Sequence, residues 1–354
     1  MELTAQDVAH ARLLAQRVVG PPSATPRDVV GLLTAMQAQD EPGALVSVAL
    51  RAASRERTDV VAAFDAGQIV RTWPMRGTVH TIAAQDVAWM LPLMTPGPRA
   101  GAATRRPQLG LSEDDVERAG ELAVAALAGG GITRAELLAV WTDAGLSPTG
   151  GRGYHLVVEL AQRRMLCFGP YRGKDQLIVA VEAWVRAPRV LAREEALAEL
   201  ALRFFRGHGP ATVKDLMRWT GLPARDVRPG VEAVRSQLAA VTVDGTEHLL
   251  DPATLDLLGT HREAAREVLL LPGFDEIVLG YADRSATVDP AYASRIVPGG
   301  NGVFRPTVLV DGRAVATWKR VGTGSKRRLE LDPFGPLPDA VVAAAHERFA
   351  ALPA

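Results

Sequence analysis

The sequence is poor in cysteine, in long apolar runs and in net charge. Cys167 is the single cysteine among 354 residues. This excludes internal disulfides and a cysteine-based zinc site, and it is typical of a reducing cytoplasm. Since no stretch of about 18 uncharged apolar residues occurs, we predict no membrane-spanning helix. The N-terminal segment contains Glu2 and no unbroken apolar run, so we expect no signal peptide and a cytoplasmic location.

The missing net charge argues against nucleic-acid binding unless the cations cluster, because phosphate binding normally requires an excess of Lys and Arg. The 40 Lys and Arg residues balance 40 Asp and Glu residues. Two acid-free stretches nevertheless carry clustered cations. They contain Arg99, Arg105 and Arg106 in the first and Arg313, Lys319, Arg320, Lys326, Arg327 and Arg328 in the second. For the first stretch, ordinary charge mixing on a solvated surface is as good an explanation as phosphate binding. The second stretch also contains Gly322 and Gly324 and favours a mobile loop that follows phosphates.

No common catalytic motif is present. The chain has no phosphate-binding P-loop, no dinucleotide-binding glycine fingerprint and no His-Glu-x-x-His zinc helix. Residues 322–326 are Gly-rich and end in Lys, but they lack the P-loop spacing and we predict a loop there. At 47% apolar residues the chain can bury sizeable cores, and its length predicts two or three domains.

A weak internal repeat organises most of the chain. Thr25, Thr133 and Thr212 are each followed three residues later by an acid, the capping-box pattern that begins a helix. Each capped helix follows a longer amphipathic one and precedes a third helix and a hairpin. The long helices are predicted over residues 4–19, 114–128 and 193–206, and the hairpins over 69–82, 165–180 and 241–250. Three helices followed by a hairpin is the winged helix-turn-helix.

Beyond about residue 265 the pattern changes to strands, predicted over 268–274, 305–310 and 314–318, with a closing helix over 339–351. We therefore predict a helix-rich α+β chain of three tandem winged helix-turn-helix domains and a C-terminal β-rich domain. Their expected boundaries are residues 1–110, 111–187, 188–262 and 263–354.

Gln37 and Gln39 stand out beside Asp40 and Glu41. We place them at the C-terminal end of the first capped helix, where both amides can turn into a concave site. From spacing alone, a polar helix end without a function is the better interpretation.

Three motifs together resemble the AlkZ/YcaQ family of bacterial winged-helix DNA glycosylases. They are Gln37-Ala38-Gln39, Arg-Thr-Trp-Pro-Met-Arg-Gly-Thr-Val-His at 71–80 and Leu-Pro-Gly-Phe-Asp-Glu at 271–276. The resemblance covers essentially the whole chain. It is closer to the AlkZ branch, which includes azinomycin self-resistance and carries Gln-x-Gln where the YcaQ branch has Gln-x-Asp. It implies three winged helices and a β domain arranged as a C around the duplex.

The resemblance also implies the chemistry. We expect a monomeric, monofunctional glycosylase that removes bulky N7-alkylguanine and N3-alkyladenine from double-stranded DNA and unhooks interstrand crosslinks, either in housekeeping repair or in self-protection of an antibiotic producer. Gln37 and Gln39 would hold the attacking water. Gln does not titrate, but a cationic alkylpurine leaves with little acid catalysis. Asp40 is the competing candidate for a general base. No Lys lies near the motif, which argues against a lyase step, and we expect no metal or other cofactor.

Supporting roles are expected around this motif. Trp73, Arg76 and His80 lie in a predicted wing beside it. Trp73 either packs in the core or borders the lesion cleft, and His80 either forms a structural hydrogen bond or takes part in catalysis. Arg76 could pair with Asp40 or Glu41, or it could bind phosphate. Asp275 and Glu276 are expected to brace an interface. The basic segment 319–328 is predicted to be a hairpin that inserts into DNA or grips phosphates.

Two other classes of protein compete with the enzyme. One is a non-catalytic winged-helix transcriptional regulator, and the other is a protein-interaction scaffold. Three unlike units and a net charge of zero do not suit a symmetric operator-binding dimer.

Overall fold

The structure is a computed structural model that describes residues 1–300 and 302–353. It divides into two compact units, which we call the split unit, Met1–Asp59 with Leu197–Ala354, and the central unit, Val60–Ala196. Within the described ranges, no helix combines the length and apolar character that a membrane crossing requires.

Helices dominate both units. They are α1 (Ala5–Ala15), α2 (Pro26–Leu33), α3 (Glu41–Arg51), α4 (Arg57–Asp65), α5 (Val87–Met94), α6 (Pro96–Ala103), α7 (Glu113–Leu127), α8 (Arg134–Asp143), α9 (Arg152–Gln162), α10 (Val181–Trp184), α11 (Arg193–His208), α12 (Val213–Thr220), α13 (Ala224–Val234), α14 (Pro252–His261), α15 (Glu276–Leu279), α16 (Ala293–Ile296) and α17 (Asp339–Ala350).

The strands are mostly short and antiparallel. They are β1 (Ala35–Gln37), β2 (Ile69–Met75), β3 (Thr78–Ala83), β4 (Leu166–Arg172), β5 (Asp175–Ala180), β6 (Ala239–Val243), β7 (Thr246–Leu250), β8 (Leu269–Leu271), β9 (Thr307–Val310), β10 (Arg313–Val321) and β11 (Arg328–Pro333). In the central unit the order is β3-β2-β4-β5. The split unit holds the pair β6-β7 and the sheet β11-β10-β9-β8.

The predicted capping boxes are confirmed. Thr25, Thr133 and Thr212 each accept from the backbone of the third helical residue, whose acid accepts from the cap backbone in return. Thr4 and Ser112 form the same box at the start of α1 and α7. Four of these boxes use Asp, so the shorter acid reaches the cap amide as well as Glu does.

Two of the predicted helix–helix–helix–hairpin units have the expected order of elements. They are α7, α8, α9 with β4–β5, and α11, α12, α13 with β6–β7. In the hairpin β6–β7, Asp244 and Gly245 both have positive φ, at 47° and 74°, as a two-residue turn of this type requires. The α+β, helix-rich fold class is thus confirmed.

The first predicted unit is more elaborate than expected. Strand β1 and helices α3 and α4 lie between α2 and the hairpin β2–β3. The boundary between the compact units also falls after Asp59, inside the segment predicted as 1–110. The division into four domains at residues 110, 187 and 262 stays a prediction.

The C-terminal sheet packs on the closing helix. Trp318 of β10 meets Phe349 of α17 edge to face at 5.8 Å, and its indole donates to the Leu271 carbonyl at 2.9 Å. The predicted strands and the closing helix are confirmed, but β10 extends to Val321 and β11 was not predicted. This sheet core supports the segment that follows β8, where Asp275 and Glu276 lie.

Candidate functional site

Gln37 ends a short strand and not a helix. Helix α2 ends at Leu33, and Thr34, with a φ of 68°, turns the chain into β1. Ala35 and Met36 are buried, so this stretch belongs to the core. The predicted position of the motif at a helix C-terminus is therefore wrong. The cause is the left-handed backbone of Thr34, a conformation that a β-branched residue rarely adopts and that the sequence does not indicate.

The side-chain amide of Gln37 has no partner among the described residues, although Gln37 is only 8% exposed. Its backbone N–H donates to Glu276 Oε1 at 3.2 Å. Gln39 and Asp40, two and three residues further on, are exposed. The amide atoms keep solvent access, so water or a ligand can complete their hydrogen bonds. The Gln-x-Gln segment thus combines a fixed backbone with an amide that is available for a ligand.

Glu276 connects Gln37 to the interior of the split unit. Its carboxylate is buried, and Oε2 accepts from Trp219 Nε1 at 3.0 Å and lies 3.4 Å from His208 Nε2. The rings of Trp219 and His208 pack on Phe204, with centroids 5.3 Å and 4.7 Å away. The backbone of Gln37 is therefore held, through one carboxylate, by residues of α11 and α12.

Asp275 fixes the helix that follows the motif. It accepts from Arg51 Nη2 at 2.8 Å and Nη1 at 2.9 Å, and from Ser47 Oγ at 2.7 Å. Burial raises the pKa of Asp275, but the Arg51 charge and hydrogen bonds from Arg51, Ser47 and the Ile277 N–H outweigh it, so the net shift is downward. Asp275 and Glu276 thus brace α3 and β1, as expected of a structural pair.

Asp40 is the N-cap residue of α3, but its carboxylate forms no capping hydrogen bond. A Cβ on Gly43 would lie 2.5 Å from Asp40 Oδ2 and 3.5 Å from Pro272 Cβ. Only glycine therefore lets the carboxylate lie against the first turn of α3. Among the described residues, no group of three or more His, Cys, Asp and Glu is placed to hold a metal ion.

The wing residues of the central unit have structural partners. Trp73 is buried between Phe168 and Tyr154, with ring centroids 5.8 Å and 6.3 Å away, as core packing predicts. His80 is fully buried, with Nδ1 2.9 Å from the Thr78 carbonyl and Nε2 3.5 Å from Arg76 Nη2. The structure therefore brings Arg76 and His80 together. A supporting role in chemistry stays a prediction for all three.

The first basic cluster is partly neutralised by a buried carboxylate. Arg99 and Arg106 both lie 3.0 Å from Glu159 Oε1, and Arg163 contacts the same oxygen at 2.7 Å. Burial raises the pKa of Glu159, but these arginines hold it below its ordinary value. Arg105 is exposed and forms no ion pair with a described residue.

The second basic cluster lies on the hairpin β10–β11. Arg313, Lys319 and Arg320 belong to β10 and Arg328 to β11, so the expected mobile loop is confined to the turn between the strands. Glu330 pairs with Lys319 at 2.8 Å and with Arg328 at 3.1 Å.

Arg320 and Arg327 form no ion pair with a described residue. Partial burial and the charges of Arg327 and Arg57 lower the pKa of Arg320. Arg57, Arg320 and Arg327 therefore form a cluster of cations that no described acid neutralises. The sequence pattern did not place Arg57 in this cluster.

Several residues of the site carried no sequence signal. In the sequence, Trp219 and His208 look like ordinary helix residues. Their contacts with Glu276 join positions far apart in the chain, so no local pattern indicates them. Arg51 did carry a signal, because a single charge after a stretch that is apolar except for Ser47 indicates a buried partner.

The capped helix–helix–helix–hairpin units are those of a winged-helix protein, and the Gln37 amide, which has no partner among the described residues, suits an enzyme of that class. The chain belongs to the AlkZ-like DNA glycosylase family, whose sequence model matches residues 30–353. It is therefore a DNA glycosylase that acts on DNA, and the regulator and scaffold alternatives are set aside.

Two comparisons with Streptomyces sahachiroi proteins support this assignment. The chain is 29% identical over 345 residues to an interstrand DNA cross-link repair glycosylase, covering 88% of this chain and 85% of the relative. It also resembles the solved structure of the DNA glycosylase AlkZ, with a TM-score of 0.80 and 25% identity, covering 99% of this chain and 96% of that one.

Proposed function

We propose that this glycosylase is monofunctional and monomeric and hydrolyses the N-glycosidic bond of bulky N7-alkylguanine and N3-alkyladenine in duplex DNA. Gln37 and Gln39 are its catalytic residues. The observation that carries the proposal is the side-chain amide of Gln37, which keeps solvent access in a residue only 8% exposed and has no partner among the described residues. Exposed Gln39, two residues on, supplies a second amide at the same segment.

The chemistry fits residues that do not titrate. An N7-alkylguanine is cationic, so when the C1′–N9 bond breaks its electron pair enters the purine, which leaves neutral. The positive charge passes to the sugar as an oxocarbenium ion. Carbonyl oxygens of Gln37 and Gln39 hold the water that attacks C1′, and the proton that this water loses passes to solvent. The DNA phosphates and the negative charge of Asp40 favour the developing cation.

This mechanism needs no acid to protonate the leaving group and no Lewis acid to polarise it, because the alkylation has already made the base a good leaving group. Neutral, unmodified bases are therefore very poor substrates.

DNA binding is proposed for both basic clusters. The unneutralised arginines Arg320 and Arg327, with Lys319, Lys326 and Arg328 on the same hairpin, suit a phosphate-contacting or inserting element. Arg105 suits a phosphate contact in the central unit. Arg99 and Arg106 contribute less, because both pair with Glu159 and Arg106 also pairs with Glu113.

We extend the proposal to crosslinked DNA, since the S. sahachiroi relative carries the name of an interstrand DNA cross-link repair glycosylase. Two N7-alkylguanines joined by one linker present the same cationic leaving group on each strand. Expression of the chain is then expected to protect a host against a bifunctional N7-alkylating agent, as a self-resistance enzyme would, and Gln37→Ala is expected to remove that protection.

The test is single-turnover incubation with a duplex carrying one N7-alkylguanine, followed by alkaline cleavage of the abasic site. Gln37→Ala and Gln39→Ala should lose most of the excision, while Gln108→Ala, an exposed glutamine outside the site, should match the unmodified chain. Full activity of Gln37→Ala would overturn the assignment. A crosslinked duplex on a denaturing gel tests unhooking separately.

A further inference from the structure

We infer that Glu276 is a positioning residue for base excision, which acts by fixing the peptide of Gln37. The inference rests on the proposed catalytic role of Gln37. Glu276 Oε1 accepts from the Gln37 N–H at 3.2 Å, at the point where the strand β1 ends and the exposed part of the motif begins. The bond therefore sets the direction in which the Gln37 side chain leaves the backbone.

The carboxylate that holds Gln37 is itself held. Glu276 is only 1% exposed, and its second oxygen accepts from Trp219 Nε1 at 3.0 Å beside His208. Trp219 and His208 are 1% and 0% exposed, so they have little room to move. Buried hydrogen bonds of this kind restrict a side chain to one rotamer.

The neighbouring residue fixes the other side of the motif. Asp275 pairs with Arg51 and Ser47 on α3, the helix that begins directly after Asp40. Two successive carboxylates thus hold the first motif residue, at the end of β1, and the helix after the motif. Water positioning by an amide depends on such a fixed frame, because errors well below an ångström already reduce the rate.

Glu276→Gln tests this inference, because the amide has the size of the carboxylate but carries one acceptor oxygen where Glu276 offers two. It cannot accept from both the Gln37 N–H and Trp219 Nε1. We expect the single-turnover excision rate to fall about tenfold, which corresponds to about 1.4 kcal/mol of transition-state free energy. The Kd for a duplex with an abasic-site analogue should stay the same. Glu263→Gln, an exposed carboxylate outside the site, is the matched control.

The double variant Gln37→Ala/Glu276→Gln separates positioning from general stability. If Glu276 acts through Gln37, the double variant is no slower than Gln37→Ala alone. The inference would be overturned if the two substitutions reduced the excision rate independently, so that their fold-losses multiplied, or if Glu276→Gln kept the wild-type rate. Either result would leave the role of Gln37 intact. A wild-type rate for Gln37→Ala would instead refute the proposed function.

If Glu276→Gln fails to fold, the variant Trp219→Phe tests the same inference. It removes one donor to Oε2, keeps an aromatic ring against Phe204 and leaves the bond to Gln37. We expect a smaller slowing, about threefold, that disappears in the Gln37→Ala background. Slowing of the same size in both backgrounds would overturn the inference.

Discussion

Arg51 and Asp275 form a doubly hydrogen-bonded ion pair shut off from solvent, with both side chains no more than 1% exposed. The remaining Arg51 donor atom, Nε, reaches the Gln16 carbonyl at 3.0 Å, and Nη2 also lies 3.1 Å from Gln16 Oε1. The pair therefore satisfies the guanidinium inside the split unit and joins α3 to the segment that holds Gln37.

Arg51→Met should lower the free energy of unfolding by about 3–5 kcal/mol, because it leaves the buried Asp275 carboxylate without its counter-charge. Urea denaturation measures the loss. Arg266→Met, which removes an exposed pair with Glu263, should cost about 0–1 kcal/mol and serves as the control. Equal losses in the two variants would contradict a special role for the buried pair.

Acid should weaken the protein through Asp275. The pKa of Asp275 is lowered in the folded state, so its stabilising contribution is complete above the unfolded pKa of about 3.9 and disappears as the pH falls through the folded pKa. The free energy of unfolding of the unmodified chain should therefore exceed that of Asp275→Asn by a constant amount from about pH 5 to about pH 7, and the gap should narrow below about pH 4. If the difference in unfolding free energy between the two proteins stayed constant below about pH 4, Asp275 would not be the source of the acid sensitivity.

Much of the fold could be predicted from local patterns. Caps at Thr25, Thr133 and Thr212, and the turn at Asp244 and Gly245, are fixed by residues within a few positions of each other. The backbone of Thr34 was missed because a β-branched residue rarely adopts a positive φ, so the residue type gives no sign of it.

The candidate site was predicted in part. The motif residues Gln37 and Gln39 came from the family resemblance, and the structure leaves their amides without partners among the described residues. Their supports could not be predicted, because the contacts of Glu276 with Trp219 and Gln37 span dozens of residues of sequence. Arg99 and Arg106 counted as surface cations in the sequence, whereas Glu159, one turn of helix from Arg163, binds them.

The excision rate should depend little on pH. Neither Gln37 nor Gln39 titrates, and the cationic base needs no proton, so the single-turnover rate should vary less than about twofold from about pH 6 to about pH 9. Spontaneous loss of the same base from enzyme-free duplex is measured alongside and subtracted. A rate that follows a single ionisation and loses this dependence in Asp40→Asn would instead assign Asp40 as a general base.

Cys167 should be unreactive in the native protein. Burial raises the pKa of Cys167 to about 12, and the side chain in β4 is fully buried, so neither thiolate nor access is available at neutral pH. A thiol-specific chromogenic reagent should modify it only in denaturant, where the single thiol then reports unfolding of the central unit. Complete modification within minutes in native buffer would show that this part of the core opens readily.

The hairpin β10–β11 should dominate the salt dependence of DNA binding. Arg320→Ala/Arg327→Ala removes cations that no described acid neutralises, and each lost phosphate contact should reduce the slope of log K against log salt by about 0.9. Arg57→Ala should act in the same direction, because its charge belongs to this cluster. Arg99→Ala should leave the slope nearly unchanged and lower stability instead, since Arg99 already pairs with Glu159. Fluorescence anisotropy with an undamaged duplex at several salt concentrations measures all three variants. Equal slopes for the hairpin variant and the unmodified chain would move the DNA contact away from this hairpin.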